Sequence, residues 1–198
     1  RDQAARPGKG AGRLVCSDSA PRMSVTGNMM LAMSSRTGLP EAASGGARRW
    51  HLYEEVEGDP TLREELRDVL TATRDGSPVP RHELEMRLAE FKNQVNYAEH
   101  GRLSAAGWEY VNRDPRLWEF RLLWGDQDIK VRAYFHEPWQ RTDQTVVLLF
   151  HVKDTSLPTS EAIASAQNFF IERARCRLTT GQGNDWGLGW TRPFLGDR

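Results

Sequence analysis

The sequence predicts an α+β domain in which a helical hairpin precedes a small antiparallel sheet of about four strands and a further helix follows it. Apolar residues recur at helical spacing through residues 60–100, and apolar and polar residues alternate through residues 117–136. Helical spacing returns from about residue 158 to residue 178. We expect helices to cover one face of this sheet and to leave the other face open.

Residues 1–49 differ in composition from the rest of the chain. They carry eight basic and three acidic side chains, and 24 of these 49 positions are Gly, Pro, Ala or Ser. Because they lack an apolar period, they cannot bury enough surface to offset their ordering entropy. The sequence therefore predicts a disordered leader at 1–49 without catalytic residues, a domain at 50–178 and an irregular tail at 179–198.

Two helices are predicted between residues 59 and 101. Asp59 is a favourable N-cap and Pro60 suits the first helical position. The second helix should follow the prolines at 78 and 80 and end at Gly101. Its predicted apolar stripe consists of Leu84, Leu88, Phe91 and Val95. Residues 50–110 carry 13 acidic and seven basic side chains, so this half should repel a phosphate backbone.

Strands are predicted at residues 108–112, 117–124, 129–136 and 145–152. The segment 129–136 has the clearest alternation. Its inward face should hold Ile129, Val131, Ala133 and Phe135, and its outward face Lys130, Arg132, Tyr134 and His136. The short turn at 125–128 predicts a hairpin, and the continuous apolar run at 145–152 predicts a central strand.

The last helix is predicted to begin near Pro158. Its inward residues should be Ile163, Ala166, Phe169 and Phe170. Three arginines at positions 173, 175 and 177 should lie near its end, where cations complement the helix dipole.

Composition excludes several classes of protein. No apolar run approaches the roughly 20 residues that cross a bilayer. The formal net charge is zero, but residues 50–198 carry 19 basic and 24 acidic side chains, and this negative charge argues against a generic polyanion binder. Cys16 and Cys176 lack metal-ligand spacing, which argues against a disulfide scaffold and a zinc module. A reducing, cytoplasmic setting fits, and neither a metal site nor a cofactor is predicted.

The polar side of segment 129–136 is the candidate functional surface. The adjacent strands add Arg121, His151 and Lys153 to Lys130, Arg132, Tyr134 and His136. An ordinary solvated sheet face would also alternate in this way. A cationic and aromatic patch in a domain of net negative charge favours contact with phosphates and bases.

The motifs of these strands resemble a known family. The matching segments are LWEFR at 117–121, RAY at 132–134, the two leucines at 148–149, and then Lys153, Thr155 and Pro158. In this order and spacing the chain is similar to phage-derived HigB-like toxins of the RelE/ParE superfamily. The resemblance covers residues 60–178 and implies a RelE-like fold.

The resemblance also implies a function. Such toxins belong to type II toxin–antitoxin pairs and cleave mRNA on the ribosome without a metal ion. The implied partners are a helix-turn-helix antitoxin of the HigA type, the ribosome and mRNA, with no membrane. In this chain Arg121, Arg132 and Lys153 would hold the phosphate, and His136 and His151 would exchange protons. Lys130 and Tyr134 would contact RNA.

Two alternatives remain open at this point. The chain could be a ParE-like toxin that inhibits gyrase, which would not need the cationic set. It could also be a catalytically degenerate member of the fold that serves as a protein-binding module. Each histidine could also be an ordinary surface residue that takes no part in catalysis.

Overall fold

The computed structural model describes residue 40 and residues 46–53, 61–125 and 128–188. The first half of the described chain contains β1 (Arg49–Leu52), α1 (Leu62–Leu70), α2 (Arg81–Glu99) and β2 (Trp108–Tyr110). The second half contains β3 (Trp118–Trp124), β4 (Ile129–His136), β5 (Gln144–Val152) and α3 (Ser160–Gly181). Most of the predicted leader lies outside these residues.

The strands form one mixed sheet in the order β1-β5-β4-β3-β2. The four predicted strands pair antiparallel, as expected, and β3 and β4 form the predicted hairpin. The fifth strand, β1, was not predicted, and it pairs parallel with β5 from Arg49 opposite Gln144. Four residues are too few to show an alternating pattern, so this strand depends on a partner far along the chain.

The helix boundaries follow local capping chemistry. Thr61, not Asp59, is the N-cap of α1, and it forms a capping box with Glu64. Asp59 itself lies outside the described residues. The second helix ends just before Gly101, as predicted, and that glycine has a φ of +63°. Thr159 caps α3 by accepting a hydrogen bond from the Ala162 amide at 3.1 Å.

The helix α3 is longer than expected. It continues to Gly181, and a 3-10 segment follows at Gln182–Gly187, where the sequence indicated no regular structure. Trp186 of this segment is 5% exposed, and its indole Nε1 donates to the Leu178 carbonyl at 2.9 Å. The end of the chain's described part therefore folds back onto α3.

The first face of the sheet carries the predicted core. Ala133 pairs with Phe120 and Phe150 in the neighbouring strands, and all three are buried. The ring of Phe91 on α2 packs 5.7 Å from that of Phe150. The Trp50 ring of β1 lies 5.4 Å from that of Phe120. The inward register predicted for β4 is confirmed.

The second face is covered as well, so the expectation of an open face is wrong. Tyr134 is completely buried, and Arg132 and His136 are 8% and 7% exposed. On α3, Gln167 contacts β3 and Phe170 contacts β5. Polar residues on a strand alternate in the same way whether water or paired side chains surround them, so the pattern did not reveal the covering helix.

Two side-chain assignments on α3 also change. Phe169 was expected to face inward but is 46% exposed. Arg173 and Arg177 were expected to complement the helix dipole, yet both form ion pairs with Glu65 of α1, at 3.1 and 2.9 Å. Because α3 extends to residue 181, these arginines lie within the helix rather than at its end.

Side chains complete β5 where β1 stops. Beyond Tyr53, whose amide donates to the Val147 carbonyl, no strand of the described residues pairs with this edge of β5. There the Phe150 amide donates to Glu65 Oε2 at 2.9 Å, and Arg177 donates to the Leu148 carbonyl at 2.8 Å. An ion pair thus satisfies backbone groups that a sixth strand would otherwise bind.

Two further findings concern the setting of the protein. Within the described part, no helix is long and apolar enough to cross a membrane. Cys176 takes part in a disulfide bond, and Cys16 lies outside the described residues. A disulfide bond does not agree with the reducing setting that the sequence indicated.

Candidate functional site

Neighbouring strands bring four cations together at one end of the sheet. Arg121 of β3 lies opposite Arg132 of β4, which in turn lies opposite His151 of β5. The Lys153 amide donates to the Lys130 carbonyl at 2.7 Å, which holds those two residues side by side. We call Arg121, Lys130, Arg132 and Lys153 the cationic cluster.

A buried carboxylate lies at the centre of this cluster. Glu119 Oε1 lies 2.7 Å from Arg132 Nε and 3.0 Å from Arg121 Nε. Its other oxygen accepts a hydrogen bond from Gln167 of α3 at 2.7 Å. Burial raises the pKa of Glu119, and the positive charge of Arg132 opposes that shift. Arg132 is therefore neutralised within the protein.

Arg121, Lys130 and Lys153 form the partly accessible portion of the cluster, and the pKa values of Arg121 and Lys153 are shifted. Burial lowers the pKa of both groups, and the neighbouring charge of Arg132 lowers it further. The Arg121 side chain is 32% exposed and also pairs with Glu109. Lys130 and Lys153 are half-buried. Cations that repel one another at a surface attract an anion such as phosphate, which relieves that repulsion.

His151 lies under α3 beside the cluster. Its ring stacks on Phe170, with centroids 4.0 Å apart and planes 10° apart, and its Nδ1 donates to the Val152 carbonyl at 3.1 Å. Its Nε2 is buried and has no hydrogen-bond partner among the described residues. Burial, with help from the charges of Arg132 and Lys153, lowers the pKa of His151 to about 4. The imidazole is therefore neutral at pH 7.

A small cleft adjoins His151. Its volume is only about 20 Å³, and it lies between the end of β5 and the first half of α3. The residues that line it are His151, Lys153, Asp154, Ile163, Ala166, Gln167 and Phe170. One side of this cleft is thus aromatic, and a lysine of the cationic cluster borders it.

Tyr134 is too deeply placed for the role that the sequence assigned to it. Its side chain is fully buried, and its hydroxyl lies close to Gln167 and Glu119. Burial and the negative charge of Glu119 both raise the pKa of Tyr134. In this conformation the ring cannot stack on a base, since His151 already lies against it with centroids 5.6 Å apart.

His136 lies apart from the other predicted site residues. It is four residues beyond Arg132 on β4, or about 13 Å along the strand. Its Nδ1 donates to the Arg116 carbonyl at 2.8 Å, and its ring lies 5.0 Å from that of Trp186. The two histidines that the sequence paired as acid and base therefore do not share one site.

Three residues of the site were not predicted. Glu119 was noted only as a polar residue of its strand, and Gln167 and Phe170 belong to a helix that was expected on the other face. The acidic residue in an otherwise cationic pattern was the one available signal. Among the described residues, no three His, Cys, Asp or Glu side chains are grouped so as to hold a metal ion.

Comparison with known proteins gives no relative. No family model, curated protein or solved structure matches this chain.

Proposed function

We propose that this protein is the toxin of a type II toxin–antitoxin pair and that it cleaves mRNA on the ribosome as a metal-independent endoribonuclease. The main support is the cationic cluster, in which Arg121, Lys130 and Lys153 are partly accessible around the Glu119–Arg132 pair. The motif resemblance supports the same function. A HigA-like antitoxin with a helix-turn-helix and a RelE-like fold belong to this proposal. A cytoplasmic location also belongs to it and requires that the Cys176 disulfide be reduced there.

The reaction requires little from the protein beyond fixed charge. The ribose 2′-oxygen attacks the adjacent phosphorus and the bond to the 5′-oxygen breaks, which yields a 2′,3′-cyclic phosphate and a 5′-hydroxyl. Arg121 and Lys130 hold the phosphate oxygens. Lys153, whose pKa is lowered, protonates the leaving oxygen, and solvent takes the proton of the 2′-hydroxyl.

The roles differ from those inferred from the sequence. Arg132 supports the site through Glu119 rather than contacting the phosphate, because its guanidinium is buried against that carboxylate. His136 and His151 transfer no proton in this scheme. His136 lies at the other end of β4, and the free nitrogen of His151 is buried.

One observation favours a second candidate function. Because α3 covers Arg132, Tyr134 and His151, the chain could be a catalytically degenerate protein-binding module of the same fold. Such a module would bind its antitoxin without cleaving RNA. The gyrase alternative has no specific support from the site.

The experiment is mRNA cleavage in a translating extract, read by sequencing new 5′ ends. The test variant combines Arg121→Gln, Lys130→Gln and Lys153→Gln, and the control combines Arg63→Gln and Lys92→Gln, which are exposed positions on α1 and α2. We expect cleavage by the wild type and the control, and a loss of about 10²–10³-fold or more in the test variant. Circular dichroism confirms folding.

Each other outcome has a defined meaning. No cleavage by the folded wild type would favour the binding module, and inhibition of DNA supercoiling would favour the gyrase toxin. Equal cleavage by the test and control variants would rule out the cationic cluster as the site.

A further inference from the structure

Three aromatic rings form a continuous stack beside the cationic cluster. Phe170 lies on one side of the His151 ring at 4.0 Å, and Tyr134 lies on the other side at 5.6 Å. Phe170 is the outermost ring and is half-buried, whereas Tyr134 is fully buried. Phe170 of α3 therefore occupies the outer position of this stack, where a flat aromatic group fits against His151.

The polar groups around the stack are incompletely satisfied. His151 is 4% exposed, yet its Nε2 has no hydrogen-bond partner within the described part of the chain, and this residue lines the cleft next to Lys153. The lone pair of a neutral imidazole nitrogen lies in the ring plane, so a ligand that stacks on the ring face leaves it free to accept a hydrogen bond from a hydroxyl group beside the ring. A nucleotide combines a flat base for the ring face with ribose hydroxyls for Nε2 and a phosphate for the lysine.

The first half of α3 is held less firmly than the second half. All the buried residues of α3 lie at or beyond Ile171, namely Ile171, Ala174, Arg177, Leu178 and Gly181. Residues 160–170 instead contact the sheet through the Gln167–Glu119 hydrogen bond and the Phe170 ring. Segments with few buried apolar contacts open at low free-energy cost.

We propose that the outer face of His151 is a nucleobase-binding slot, which Phe170 fills until the first half of α3 moves away. This inference rests on the proposed function, because it gives the RNA substrate a base contact next to the phosphate contact. Aromatic side chains stack on bases in this way in many RNA-binding proteins. His151 is then a residue that binds the base rather than one that transfers a proton.

The test compares two ligands with the full-length chain. Adenosine 5′-monophosphate and ribose 5-phosphate share a phosphate, and only the first has a base. Their affinities are measured by calorimetry for the wild type and for Phe170→Ala, with Met86→Ala as the control at an exposed apolar residue of α2. The imidazole proton signals of His151 are followed by NMR during each titration.

We expect Phe170→Ala to prefer the nucleotide over ribose 5-phosphate by about 5- to 150-fold. The preference should be smaller in the wild type and in Met86→Ala, because Phe170 competes for the slot. The His151 ring protons should shift upfield with the nucleotide and not with ribose 5-phosphate. In the double variant Phe170→Ala with His151→Leu, the preference should disappear.

Contrary outcomes are distinct. No preference in Phe170→Ala, or an equal preference in the double variant, would overturn the slot. If Phe170→Ala fails to fold, Phe170→Leu replaces it, because leucine keeps most of the volume without a flat ring. The same preference for the nucleotide over ribose 5-phosphate is then measured with this variant, and its absence would overturn the slot. A preference for the nucleotide without mRNA cleavage would support the slot and contradict the nuclease function. Cleavage without that preference would support the nuclease function and contradict the slot.

Discussion

At the scale of single residues, two buried carboxylates organise this protein. Glu119 holds Arg132 and Arg121 on one face of the sheet, and Glu65 joins α1 to α3 at the edge of β5. Burial is the largest influence on the pKa of each carboxylate, and it raises both. The arginines and hydrogen-bond donors around each carboxylate offset the free-energy cost of burying it.

Removing Glu65 should destabilise the fold strongly. Glu65→Ala leaves Arg177, which is 2% exposed, without its counter-charge and leaves the Phe150 amide without an acceptor. We expect a loss of about 3–5 kcal/mol in the free energy of unfolding, measured with urea. The control Glu85→Ala removes an exposed ion pair with Arg81 and should cost about 0–1 kcal/mol. Equal losses would show that the buried pair contributes nothing special.

His151 should make stability depend on pH. Its pKa in the folded protein is about 4, below the ordinary value of 6.5, so the unfolded chain binds the proton more tightly. The resulting stabilisation is fully present above pH 6.5 and is lost as the pH falls to about 4. It amounts to about 3 kcal/mol. Between pH 7 and pH 4, His151→Phe should lose less unfolding free energy than the wild type by about this amount. If the unfolding free energies of the two proteins fall by the same amount between pH 7 and pH 4, His151 is not a buried, neutral imidazole.

At the scale of elements, β1 is the least obvious part of the sheet. Its four residues pair with the first half of β5, and its Trp50 is 1% exposed between Phe120 and Phe135. The Arg48 guanidinium donates to the Gln144 carbonyl at 2.8 Å and reinforces this pairing. A short strand that carries one large buried ring contributes to the core out of proportion to its length.

Trp50→Ala should therefore be one of the most damaging substitutions. We expect a loss of about 3–5 kcal/mol in unfolding free energy, because a cavity opens between two phenyl rings. Trp139→Ala is the matched control, since that indole is 71% exposed and its removal should have little effect. Thermal unfolding compares the two variants with the wild type. A neutral Trp50→Ala would mean that β1 is not part of the stable sheet.

At the scale of the whole molecule, the end of the described chain packs against its beginning. A Cβ at Gly181 would lie 2.4 Å from Trp186 Cδ1 and 2.7 Å from Tyr53 Cε2. Asp185 and Trp186 adopt positive φ angles of 53° and 52°, and the Arg141–Asp185 ion pair helps to hold that strained turn. The turn brings Trp186 over His136 and closes the second face of the sheet.

Gly181→Ala should loosen this closure. The added methyl group overlaps two rings, so we expect a loss of about 1–3 kcal/mol in unfolding free energy. Gly183→Ala is the control, because a Cβ there meets nothing within 4 Å. Chemical denaturation measures both. If both variants lose equal stability, the contact between Gly181 and Trp186 is not the cause.

The sequence by itself determined the elements whose stability is local. The β4 alternation places Ala133 and Val131 inside correctly, and the apolar run of β5 identified a central strand. The start of α3 at Thr159 and the end of α2 before Gly101 follow from caps and turns that act over a few residues. Such signals survive in a sequence because each depends on neighbours along the chain.

Only the tertiary structure decided what covers the polar face. The cations of β3, β4 and β5 were correctly taken as neighbours, but Glu119 at their centre and α3 above them were not foreseen. Ion pairs and ring stacks between residues 119 and 167, or 151 and 170, leave no periodic trace. A buried polar residue that is paired looks the same in sequence as an exposed one, because the difference lies in its partner rather than in its own position.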